Sequence, residues 1–132
     1  MITKVTLKVA LNMFSKAARD KYRFEMPYNL YIEMSYGGKK RLGRLVNLST
    51  KGACIEFMER GGLPPTNSGT ILQFLLPEQY KPFSLGATIV WIRKLTDDTT
   101  SRFVNLGVIF KNLDANTYDC IWGFIVNSTA ET

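Results

Sequence analysis

Over most of the chain, apolar and polar residues alternate with the period of a strand, and near both ends the period changes to that of a helix. Asn29 to Tyr36 puts Leu30, Ile32 and Met34 on one face, Gly37-Gly38-Lys39-Lys40 closes it as a turn, and Arg41 to Leu48 returns as a second strand. Gly52 to Met58 alternates Ala53, Ile55 and Phe57 with Cys54 and Glu56, which makes a third. Gly61 to Gly69, rich in Gly and Pro, forbids regular pairing, and Thr70 to Leu76 follows as a strand stopped by Pro77. Ser84 to Lys94 reads as a central strand with Leu85, Ala87, Ile89 and Trp91 on one face and Val90 and Ile92 on the other, so Trp91 is expected in the core. Thr96 to Thr100 is a polar turn, and Phe103 to Asn112 supplies the sixth strand, with Gly107 marking a bulge or a close approach by a neighbour.

The ends differ. Val5, Leu7, Val9 and Leu11 alternate like a strand, whereas Leu7, Leu11, Phe14 and Ala18 fit a helical stripe; a helix from about Lys8 is favoured. Arg19 to Arg23 reads as helical, or as extended and ordered only by a ligand. Near the C-terminus, Asp114 suits an N-cap, and Tyr118, Ile121, Trp122 and Ile125 fall on one helical face, so a helix over about 114–127 is expected across the open end of the sheet. The fold class is therefore mainly β: a six-stranded antiparallel β-barrel with a C-terminal helix and an N-terminal arm or helix. The expected division is an arm over 1–18 and a barrel over 19–132.

Composition supports a globular chain: 132 residues, 45% hydrophobic and 12% aromatic, are enough for one core. No apolar run approaches the roughly 20 residues that span a bilayer, and Lys4, Lys8, Asn12 and Lys16 interrupt the N-terminal stretch where a secretory signal would be apolar; a cytoplasmic location is expected. Cys54 and Cys120 are too few for a disulfide framework, and with no His no zinc pattern can be assembled, so no metal is expected. An enzyme is not expected either. There is no Walker-type glycine loop and no Ser or Cys with an evident base, and the adjacent carboxylates Asp97 and Asp98 sit in a Thr-rich turn.

The net charge of +6 is concentrated. Between Lys16 and Lys51 lie nine basic residues against Asp20, Glu25 and Glu33, while the remaining chain carries eight of each sign. An anion site in that region would account for the excess, as would a solvated basic surface. Two motifs lie inside it. Arg19-Asp-Lys-Tyr-Arg23 spaces two guanidiniums four residues apart ahead of the first strand, and Asn47-Leu-Ser49-Thr-Lys-Gly52 forms the polar corner between the second and third. Each is ordinary alone: a solvated helix face and a turn. In this order, with strands between and after them, they resemble the PilZ domain, the bacterial receptor module for cyclic di-GMP.

That resemblance implies a ligand of two phosphates and two guanines, held by Arg19 and Arg23 from the arm and by Asn47, Ser49 and Gly52 on the barrel, with no cofactor. Arginine's planar fork pairs with phosphate or guanine O6/N7 and stacks on a base. Asn47 and Ser49 would present oxygens to a guanine or its ribose, and Gly52 would let the ligand approach. Family members carry Asp or Asn at the first corner position; Asn offers one oxygen where Asp offers two. Arg44, Lys51, Trp91 and Gly107 are secondary candidates. The small Ala18 before the first arginine leaves the ligand stoichiometry open. The resemblance further implies an arm that closes over ligand and signals to an effector protein, in a monomer or homodimer. Two other readings compete: a PilZ-like interaction module acting without ligand, and a small basic barrel that takes single-stranded nucleic acid on Tyr22, Phe24, Tyr28, Tyr31 and Tyr36.

Overall fold

The computed structural model describes residues 4–58, 63–77, 82–94 and 103–131; the turn expected at Thr96 to Thr100, with Asp97 and Asp98, and the Gly61-Gly62 start of the loop lie outside them. Helix α1 (Lys4–Asn12) and helix α2 (Lys16–Lys21) precede seven strands: β1 (Phe24–Glu25), β2 (Tyr31–Tyr36), β3 (Lys39–Leu48), β4 (Gly52–Met58), β5 (Gly69–Phe74), β6 (Phe83–Lys94) and β7 (Phe103–Phe110). Helix α3 (Ala115–Glu131) ends the chain.

The six longer strands form the expected barrel. Their hydrogen-bonded order is β3-β2-β5-β6-β7-β4, and β4 pairs back onto β3, so no long edge is left open. The β2–β3 hairpin turns on Gly37 and Gly38 at φ of 57° and 74°, the left-handed conformation that a two-residue turn of matching twist requires. Ile32, Met34, Leu45, Ile55, Leu72, Ile89 and Leu106 fill the interior. The apolar face of α3, with Ile121, Trp122, Ile125 and Val126, joins the same core, and Asp114 caps the helix by accepting from Thr117 N at 2.7 Å.

Three features differ from the sequence pattern. The first is β1, a two-residue strand that pairs Phe24 with Leu48 and Glu25 with Asn47 and so pins the arm beside the corner. The second is the N-terminal region, which is two helices where one was expected. Ser15 caps α2, its Oγ accepting from Ala18 N at 3.2 Å, and restarts the helix although no Gly or Pro intervenes.

The third is a pair of β-bulges. Leu45 faces Ile55 while Asn47 faces Cys54, so β3 carries one extra residue at Val46; Ile89 faces Val108 while Trp91 faces Gly107, so β6 carries one at Val90. An extra residue reverses the inside-outside phase of the strand beyond it. Asn47, which unbroken alternation would place with Leu45 in the core, is thereby turned outward. Trp91 is likewise 40% exposed, which corrects the expectation that it belongs to the core.

Candidate ligand site on the outer barrel wall

The corner is held by one side chain. Ser49 is fully buried; its Oγ accepts from Lys51 N at 3.2 Å and Gly52 N at 3.1 Å and donates to Gly52 O at 3.3 Å, while its backbone N donates to Gly52 O at 2.8 Å. Its oxygen is therefore engaged within the turn rather than presented outward. Gly52 also has an internal duty, because a Cβ there would collide with the Val108 carbonyl of β7. The pair shapes the corner from inside.

Two side chains tie the arm to that corner. Thr50 Oγ1 donates to Asp20 Oδ1 at 2.7 Å, and Asp20 Oδ2 accepts from Lys16 Nζ at 2.9 Å. Burial pushes the Asp20 carboxyl up, but the hydrogen bonds from Lys16 and Thr50 and the charges of Lys16 and Lys51 together hold it below its ordinary value. Arg23 then reaches the barrel, its Nη1 donating to Asn47 Oδ1 at 3.3 Å. The extended arm delivers Arg23, and the bulge at Val46 delivers Asn47.

Arg19 points elsewhere. Its Nε donates to Phe14 O at 3.2 Å and its Nη2 to Asn12 O at 3.4 Å, so it supplies donors to carbonyls at the end of α1, and its guanidinium lies 5.1 Å from the Trp122 ring centroid. Phe14 and Tyr22 pack on the same indole with ring centroids 5.8 and 6.1 Å away. The two motif arginines thus diverge: one holds the joint between helices, the other the barrel.

From Asn47 the outer wall continues sideways in register. One rung runs Asn47, Cys54, Gly107, Trp91 across β3, β4, β7 and β6. The Trp91 indole lies flat on β7, where a Cβ on Gly107 would strike its Nε1 and Cε2, and Arg93 sits 5.7 Å from the Trp91 ring. Burial pushes the Cys54 thiol up, more than Arg23 lowers it, so it is a neutral group in the middle of the rung. The adjacent rung runs Arg44, Glu56, Asn105, Arg93, with Arg44 Nη2 3.3 Å from Glu56 Oε2. At about 4.8 Å per strand, each rung spans roughly 14 Å.

Of the residues singled out from sequence, Arg23, Asn47, Ser49, Gly52, Arg44, Gly107 and Trp91 share this wall or its corner, Lys51 is exposed in the turn, and Arg19 lies off it. Asp20, Thr50, Glu56, Arg93 and Asn105 were missed. The last two stand two residues from Trp91 and from Gly107, a spacing that places them on one strand face and could have found them. Among the described residues no His, Cys, Asp and Glu group suits a metal, and no helix is long and apolar enough to cross a membrane.

The PilZ domain family model matches residues 17–127, most of the chain, and the chain belongs to that family. Its barrel is similar to the PilZ domain of YcgR from Escherichia coli, solved with c-di-GMP, at 15% identity and a TM-score of 0.66, covering 83% of this chain and 90% of that one. MrkH from K. pneumonia, solved as a c-di-GMP complex, matches at 16% identity and 0.68, over 83% of this chain and 52% of that one. MotI/DgrA, the Bacillus subtilis inhibitor of motility, matches at 14% identity and 0.67, over 91% and 58%. The chain thus spans little more than half of the latter two. No curated protein sequence matches it.

Proposed function

We propose that this chain is a bacterial cyclic di-GMP receptor without catalytic activity, in which Arg23 and Asn47 form the primary contact, Ser49 and Gly52 shape the corner, and Arg19 is recruited when ligand arrives. The observation that carries this reading is the hydrogen bond from Arg23 to Asn47, which brings the two family motifs together across 24 positions of sequence. The acceptor that Arg23 meets there is a neutral amide, and its fork gains by exchanging that oxygen for a phosphate or a guanine O6/N7 edge. Arg44, Lys51, Trp91 and Gly107 extend the same wall. Removing either partner of a charge-assisted hydrogen bond to the ligand should cost on the order of 1.5–3 kcal/mol, roughly ten- to a hundredfold in Kd.

The switch follows from Arg19. To reach a ligand on the wall it must leave the carbonyls of Asn12 and Phe14, which loosens the joint between the segment 1–18 and the barrel of 19–132 and alters the surface offered to an effector protein in the cytoplasm. A single-strand platform is less well supported: Phe24 is core, Tyr22 packs on Phe14 and Trp122, and Tyr36 is half-buried, which leaves Tyr28 and Tyr31 exposed. Calorimetric titration with cyclic di-GMP, GTP and cyclic di-AMP tests the proposal. Saturable binding of the first, at least tenfold tighter than the others, is the expected result; three flat traces with folded protein would overturn it.

A further inference from the structure

Asn105 is held in a way that its fold does not explain. It faces outward from β7 between Glu56 of β4 and Arg93 of β6, yet its Oδ1 is shielded from solvent and has no hydrogen-bond partner among the described residues. A buried acceptor without a donor destabilises the folded state, and an apolar side chain of the same size would avoid that. Among the other atoms in this condition, the Tyr118 hydroxyl and Trp122 Nε1 lie on α3 and not on this wall. A polar atom kept unpaired beside a candidate binding surface implies a donor supplied from outside.

The neighbours specify which donor. Along the rung come a carboxylate at Glu56, a carbonyl oxygen at Asn105 and a forked cation at Arg93: acceptor, acceptor, donor pair. The edge of guanine from N2 through N1 and O6 to N7 reads donor, donor, acceptor, acceptor, and adenine has no such order because its six position carries a donor. The Arg44 pairing, 3.3 Å from one Glu56 oxygen, steadies that carboxylate in the rung. Arg93 is exposed and lies over the Trp91 ring beside Asn105 in register, so its flexible stem lets the fork move from the indole to the edge of a base stacked there.

We infer that Glu56, Asn105 and Arg93 form a base-reading subsite that selects guanine over adenine, at the end of the wall opposite Arg23. This rests on the cyclic-dinucleotide reading above and names the residues that discriminate within it. One purine is held near Arg23 and Asn47, and the second lies on Trp91 with its edge against this rung.

The test is titration of the wild type, Asn105→Leu and Arg93→Met with cyclic di-GMP and cyclic di-AMP, beside thermal melting of each. Asn105→Leu should melt no lower than wild type, bind cyclic di-GMP about tenfold or more weakly, and leave cyclic di-AMP unchanged, so that discrimination narrows by that factor. Arg93→Met, at an exposed position, should narrow it in the same direction and serves where Asn105→Leu does not fold. Asn105→Asp, which keeps the acceptor, should retain guanine preference. Wild-type binding of cyclic di-GMP with unchanged discrimination in folded variants would overturn this subsite alone, as would an equal loss for both dinucleotides. No binding of either by the wild type would overturn the receptor reading with it.

Discussion

The candidate site depends on side chains whose chemistry does not survive conservative exchange. Arg23 donates through one arm of a planar fork to Asn47, and lysine would put a single point charge in its place. Arg23→Lys should therefore weaken cyclic di-GMP binding by about ten- to a hundredfold in calorimetry, nearly as much as alanine, while the melting temperature holds. Asp20 gives a second residue-scale expectation. Its carboxyl lies below its ordinary value in the folded chain, so between the folded and unfolded pKa values the unfolded state binds more protons. The stability it contributes is complete above about pH 4 and falls away as pH drops through the folded value. Melting curves from pH 6 to 3 should show this loss, and Asp20→Asn should flatten it.

At the scale of elements, two glycines that look alike in sequence carry different loads. A Cβ at Gly52 would strike the Val108 carbonyl, and a backbone strand cannot step aside; a Cβ at Gly107 would strike the half-exposed Trp91 indole, which can swing outward. Gly52→Ala should cost about 2–3 kcal/mol in urea unfolding and part β4 from β7, whereas Gly107→Ala should cost about 1 kcal/mol or less and shift Trp91 fluorescence. The α1–α2 joint adds a dynamic expectation. Saturating cyclic di-GMP should speed amide exchange near Asn12 to Phe14 by drawing Arg19 away, and unchanged exchange there would leave the switch without its moving part. Sequence alternation placed all six barrel strands and α3 because burial on one face is a local signal. It missed the bulges at Val46 and Val90, since an inserted residue leaves composition untouched and only reverses the facing of the residues beyond it. Trp91 was accordingly expected inside, and the outward turn of Asn47 was visible only through the resemblance of its motif.

For the whole molecule, the excess of positive charge between Lys16 and Lys51 lies on the arm, the β2–β3 hairpin and the corner, with Arg23 at the barrel and Arg19 at α1. The direction in which Arg19 points could not be read from its spacing to Arg23, because the groups that hold it, on Asn12, Phe14 and Trp122, come from elements that meet only in the fold. A closed barrel without a long free edge is a rigid wall, so a ligand can change the arm more readily than the strands. The most direct measurement is a crystal structure grown with cyclic di-GMP. The account predicts density for the dinucleotide between Arg23 and Asn47, with Arg19 turned from the carbonyls of α1 onto a phosphate or a base. Ligand bound at another face of an intact barrel, with Arg23 still on Asn47 and Arg19 still on Phe14, would contradict it.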